Sequence, residues 1–247
     1  MALFRRKSAA TESISTSTQP LDANQQQLLQ LNIDFLKLLI AANQPEADAA
    51  VITRSQLGLP TVQASTLASC TDEAIRTMAG CGFSLFNFNF HLADMWERMA
   101  KTGAQQSSVQ RYASDVNGVV DANNTIEIAY AGFAECALFF AWHLAQQQPI
   151  AARVMLGMRE ETAGILAPLQ LWQVRQIAQR SYQMLAPRWP TNPYFWVDML
   201  RYATTGNEEH YRFAKLMGTQ LIARDMEPSA FMRVSPTAEP TITNVRG

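Results

Sequence analysis

At 247 residues, 48% hydrophobic and 17% charged, the chain is long enough for one large or two smaller domains and apolar enough for a sizeable core. A formal net charge of −1 and a pI of about 6.3 exclude the basic excess with which a self-sufficient DNA-binding domain meets phosphates. Three cysteines, Cys70, Cys81 and Cys136, exclude a disulfide framework and point to a reducing, cytoplasmic setting.

The basic start, Met1 to Lys7, leads into the polar run Ser8–Thr18 rather than an apolar one, so no secretory signal is expected. Residues 1–24 read as a disordered arm. Leu28, Leu31, Phe35, Leu36 and Leu39 then mark an apolar helix with Asp34 and Lys37 on its polar side. A second helix is expected over Ala47–Gln56, stopped by Leu57-Gly58. Thr71 ahead of Asp72 and Glu73 predicts a capped helix to about Met78, because the hydroxyl can take a free amide and the acids suit the positive end of the dipole. Phe83, Leu85, Phe86, Phe88 and Phe90, with Asn87 and Asn89 between, alternate with period two and predict a short strand over 83–90.

Ile128 to Ala145 is nearly long enough to span a membrane. Glu135 and His143 within it, and Gln146–Gln148 after it, favour a buried core helix, with no membrane insertion. Ala163–Ala178 has the outline of a helix–turn–helix broken at Pro168, with Arg175 and Arg180 on its second helix as candidate DNA contacts. Trp189, Tyr194, Phe195 and Trp196 crowd a proline-rich stretch from Pro187 to Pro193. A rigid aromatic loop of this kind suits either a partner hot spot or a core plug. Residues 229–247, with Pro236 and Pro240, read as a flexible tail.

No phosphate-binding glycine loop, dinucleotide fingerprint, HExxH or GxSxG is present, and no enzyme activity or cofactor is expected. Glu160-Glu161 is accounted for by the start of a helix. Cys70, Cys81 and His91 match no common zinc spacing, and His143 is expected as a hydrogen-bonded core or interface histidine.

The chain repeats itself. Leu57-Gly58-Leu59 returns 99 residues later as Leu156-Gly157-Met158, and at the same offset Ala64, Leu67 and Ala68 meet Ala163, Leu166 and Ala167. Ala100–Gly103 returns as Ala203–Gly206, and Gln110–Ala113 as Tyr211–Ala214. Common order and near-constant spacing predict two units, at 25–120 and 121–228.

The second unit, from Leu144 to Ala178, resembles the central segment of FlhD, the helical subunit that joins FlhC in the bacterial flagellar master regulator. The likeness rests on Leu156-Gly157, Glu160-Glu161, Ala163, Leu166-Ala167, Leu169, Leu171, Gln173 and Ala178. The first unit keeps Leu57-Gly58, Ala64, Leu67-Ala68, Thr71, Ala79 and the run Leu85–Phe90. The resemblance implies a mainly α fold in which two FlhD-like units form a pseudo-dimer inside one chain. It places Phe86, Phe88 and Phe90, with Trp189, Tyr194, Phe195 and Trp196, at the pseudo-dimer or partner interface. It further implies a transcriptional regulator subunit that reaches DNA through an FlhC-like protein partner, or else an adaptor in a secretion, motility or envelope assembly. Further association of fused chains into a homo-oligomer is compatible with either. Two departures stand out. The family's usual cysteine in the aromatic run falls on Phe86 and Leu185. Pro187 and Pro190 predict that strand pairing is lost in the second unit, since proline cannot donate to a ladder.

Overall fold

The computed structural model describes residues 22–43, 57–104 and 125–226. Among these the chain is mainly α, with ten helices and one two-stranded sheet. The residues before Asp22, the expected helix over 47–56, the expected unit boundary near 120 and the tail lie outside the described residues.

Helix α1 (Ala23–Ala42) begins two residues inside the expected arm because Asp22 and Gln25 form a capping box. The Asp22 carboxylate accepts from the Gln25 amide at 2.7 Å, and the Gln25 side chain accepts from the Asp22 amide at 3.4 Å. Helix α2 covers Thr61–Ala68 and α3 covers Asp72–Ala79. The Thr71 hydroxyl accepts from the Ala74 amide at 3.2 Å, as its position predicts. Strand β1 is Phe86–Asn87, and α4 is Ala93–Ala104.

Helix α5 (Thr125–Gln147) is the long apolar one. By length and composition it could cross a membrane, but here Tyr130, Phe133, Ala137, Leu138, Ala141 and Leu144 are buried against other helices. Helix α6 (Pro149–Leu156) opens on a proline, whose missing N–H has no partner to lose there. It closes on Gly157 at φ 60, a left-handed residue that lets the chain reverse. Helices α7 (Glu160–Leu166) and α8 (Leu171–Ser181) follow. Strand β2 is Ala186–Pro187, then come α9 (Phe195–Thr205) and α10 (Glu208–Met226).

The strand expected over 83–90 shrinks to two residues. The Asn87 carboxamide accepts from the Asn89 amide at 2.9 Å, and Asn89 turns left-handed at φ 57, which ends the extended run. Nor is strand pairing lost at the prolines. Phe86 pairs antiparallel with Pro187 and Asn87 with Ala186. Pro187 contributes no donor, but the next amide, Arg188, donates to the Leu85 carbonyl at 2.9 Å.

The packing is reciprocal. Helices α1 and α5 lie against each other at the centre. Helices α2 and α3 pack on α1, while α7 and α8 pack on α5. Helix α4 reaches across to α7 and α8, and α9 reaches across to α2 and α3. The order helix, helix, strand, helix over 61–104 recurs over 160–205.

Helix α10 folds back on α9 and α6. Its Gly218 is buried directly against the Phe83 ring, and a methyl group there would drive into that ring. Gly218→Ala is therefore expected to destabilise the fold by about 1–3 kcal/mol through overpacking, despite the better helix propensity of alanine. Urea melts of the two proteins would check this; an increase in stability would contradict the packing.

Candidate functional site

The most constrained part of the molecule is the seam where residues 77–96 meet residues 130–211. Phe35 on α1, Phe86 on β1 and Phe133 on α5 form a triangle of rings with centroids 5.3–5.7 Å apart. From Phe86 the chain of contacts runs to Phe88, then Phe90, then Trp96, which stacks on Phe90 at 5.2 Å. On the other side Phe83, Trp189 and Phe195 form a second group.

Backbone bonds stitch the same line. The Ser84 amide donates to the Met155 carbonyl at 2.8 Å, and the Arg159 amide to the Phe90 carbonyl at 3.4 Å. The Thr162 hydroxyl, fully buried, also donates to the Phe90 carbonyl at 2.8 Å. Farther out, the Tyr211 hydroxyl donates to the Thr77 carbonyl at 2.7 Å. Within the first half, Asn32 on α1 holds the aromatic run in place. Its amide donates to the Ala79 and Phe83 carbonyls and its carbonyl accepts from the Leu85 amide, all within 3.0 Å. Tyr130 on α5 makes the corresponding link in the second half, donating to the Leu185 carbonyl.

The two sides of the seam repeat in detail. Asn89 and Trp189 are the described non-glycine residues with positive φ, and each follows its strand by two positions. Trp96 and Trp196 are both buried, and each indole donates to a carbonyl just after its own strand: Asn89 at 3.3 Å, Arg188 at 2.7 Å. Trp96 and Trp196 lie at the same offset in the sequence as Asn89 and Trp189, so the pair of tryptophans is a further sign of the repeat.

Arg188 is the one charged side chain buried among the described residues, 3% exposed. Its Nε donates to the Phe86 carbonyl at 3.2 Å, and its Nη2 donates to the Leu156 carbonyl at the end of α6. The last carbonyls of a helix are the negative end of its dipole, so the guanidinium closes α6 while gripping β1. Burial draws its pKa down to about 10, opposed by the charge of Asp225. Asp225 in turn accepts from the Trp189 indole at 3.1 Å. His91 lies in the same field, and burial holds it below the ordinary imidazole value. Nothing in the local sequence pattern marks Arg188 as an arginine that will be covered.

Phe86, Phe88, Phe90, Phe195 and Trp196 are thus all buried within this chain, at most 1% exposed. Trp189 is half-buried, and Tyr194, 63% exposed, is the member of the aromatic set that faces outward. Of the two alternatives for the Pro187–Pro193 loop, Phe195 and Trp196 occupy the core position. The loop's last turn is fixed by Asn192, whose carbonyl oxygen accepts from the Tyr194 and Phe195 amides.

Arg175 and Arg180 both lie on the exposed side of α8. Five residues apart, they point about 140° away from each other around the helix. Arg175 also faces Glu135 on α5 at 3.4 Å. The turn between α7 and α8 is held to α5 by the Trp142 indole, which donates to the Leu169 carbonyl, and by Gln146, which donates to Ala167. The Glu160 carboxylate, at the start of α7, meets Arg153 at 3.3 Å in an exposed pair.

Cys70 is half-buried, Cys81 buried and Cys136 exposed, all as free thiols. Among the described residues no three His, Cys, Asp or Glu side chains converge. Cys81 donates to the Phe83 carbonyl at 3.0 Å, and burial pushes its thiol from 9.0 up to about 12. The folded state therefore prefers the protonated thiol. That contribution is full below pH 9.0 and lost as the pH rises towards 12. Burial also raises the Tyr130 and Tyr211 phenols, which act in the same direction. Thermal melts are expected to fall steadily above about pH 9, and Cys81→Ala should flatten part of that slope. A flat profile in the parent protein would contradict the buried thiol.

Comparison of the chain with protein-family models, with curated proteins and with solved structures gave no match.

Proposed function

We propose that the chain is a non-enzymatic transcriptional regulator subunit of FlhD type, in which two fused units form the dimer inside one polypeptide. The observation that carries the reading is reciprocity. Helix α4 crosses to α7 and α8 as α9 crosses to α2 and α3, with β1 and β2 paired between them. An isologous interface between identical subunits has this pattern, and here covalent linkage replaces association. The sequence likeness to FlhD in 144–178 and 57–90 adds the family.

In this reading DNA is reached through an FlhC-like partner. A net charge of −1 and the divergence of Arg175 and Arg180 on α8 fit a chain whose partner supplies most phosphate contacts. The seam is consumed internally, so the partner takes an outer surface. A second reading, an adaptor in a secretion, motility or envelope assembly, draws on outward apolar side chains: Ile150 and Val154 on α6, Phe213 and Leu216 on α10.

The test is co-expression with an FlhC-like, zinc-binding partner, followed by co-purification and gel shifts at low salt. The proposal expects no shift by this chain alone and a shift by the complex. If no such partner confers DNA binding, the regulator reading falls. Stable capture of an assembly component without DNA binding selects the adaptor.

A further inference from the structure

Apart from the seam, one cleft combines aromatic and charged walls. It measures about 440 Å³ and lies where the α9–α10 hairpin crosses α3, lined by Thr77, Tyr202, Glu208, Tyr211, Arg212 and Lys215. That volume is in the range of small-ligand sites. Tyr202 and Tyr211 stack within it, centroids 4.7 Å apart and planes 27° off parallel. The bond from the Tyr211 hydroxyl to the Thr77 carbonyl fixes the ring pair against α3.

Lys215 is the unusual group. It is half-buried, and its ammonium lies 5.3 Å from the centre of the Tyr211 ring. Among the described residues no carboxylate comes within ion-pair distance of it. Its neighbour Arg212 is matched, by Glu208 at 3.3 Å, in a pair so exposed that either member can swing. On its far side Lys215 also borders a smaller cavity of about 200 Å³, walled by Leu28, Leu29, Ala79 and Gly80. A half-buried cation with no described carboxylate at ion-pair distance can take a counter-charge from a ligand. The two tyrosines and the aliphatic wall on the far side surround it, while Thr77, Glu208 and Arg212 on the near side and Gln25 on the far side are the other polar members of the lining.

We propose that this cleft is a ligand site for a small aromatic anion, a flat ring bearing a carboxylate or phosphate. The acid group pairs with Lys215, with Arg212 free to add a second contact. The ring lies on the tyrosine pair, where stacking is favourable to any flat π system. Because α9 and α10 belong to the second half of the chain and Thr77 to the first, the bound molecule fastens the crossing hairpin to α3. This site is independent of the regulator reading, and either can fail alone.

The experiment is calorimetric titration of the full chain with two pairs of probes, indole-3-acetate against indole-3-acetamide and adenosine monophosphate against adenosine. Amide chemical shifts around Tyr202 and Tyr211 are followed in parallel. The expected result is saturable binding of at least one anion, about tenfold tighter than its uncharged counterpart, with shifts centred on the cleft. The anion that binds tells carboxylate from phosphate. Lys215→Gln removes a side chain that makes no hydrogen bond among the described residues, so folding is retained, and should weaken binding about tenfold. Lys101→Gln, at an exposed pair on α4, should leave it unchanged. No saturable binding by either anion, or binding indifferent to charge and to Lys215→Gln, overturns the proposal.

Discussion

Arg188→Ala is expected to destabilise the protein by about 3 kcal/mol. Three effects contribute, with opposite signs. Truncation leaves a cavity between β1 and α6, at a cost that grows with its volume. It also strands the buried Leu156 carbonyl, whose loss of a partner costs about 1–3 kcal/mol. Against these, it removes a buried cation whose Nη1 has no hydrogen bond among the described residues. The comparison that separates the effects is Arg188→Met. Methionine fills much of the space and removes the charge, and apolar replacement of buried ions is often neutral or better. It is expected to recover at least half of the loss. If Met and Ala were equally damaging, the guanidinium's hydrogen bonds, not its volume, would dominate. Denaturant midpoints at constant slope give both values.

The second large effect falls on Phe86. Its ring touches Phe35, Phe88 and Phe133 and is fully buried. Phe86→Ala is expected to cost about 3–5 kcal/mol, the range for a buried aromatic reduced to a methyl. That is a large share of the about 5–15 kcal/mol by which a domain of ordinary size is stable. Because the ring joins α1, α5 and β1 at once, its loss should lower the stability of both halves together. Phe86→Leu should cost less than half as much. A local effect, visible only in residues 84–90 by amide exchange, would contradict the shared core.

Helical character was legible because it rests on local signals. The Thr71 cap and the apolar spacing of α1 both act within a few residues, and each is where the pattern placed it. The alternation over 83–90 predicts a longer strand than the two residues that pair. Phe86, Phe88 and Phe90 are buried and Asn87 and Asn89 half-buried, so the alternation does report burial, but Asn89 turns the chain left-handed and ends the extended run. Pairing survives at Pro187 because a proline's missing donor matters only where the ladder needs one. Of the candidate site residues, the sequence placed the aromatics among the important side chains. It could not say which of them face inward, since that depends on α1 and α5 meeting a hundred residues apart. Arg188 and Lys215 were invisible for the same reason: covering a cation is a tertiary event.

The backbone bonds across the seam lock the two halves as one body. Amide hydrogen exchange, resolved at Ser84 and Arg188, tests this most directly. The Ser84 amide is bonded to Met155 and the Arg188 amide to Leu85, so each reports the other half's hold on its own. The account predicts that both open only with global unfolding and therefore share one free energy of opening. Early exchange of one amide, at a free energy well below the other, would show that the halves open separately and would contradict it.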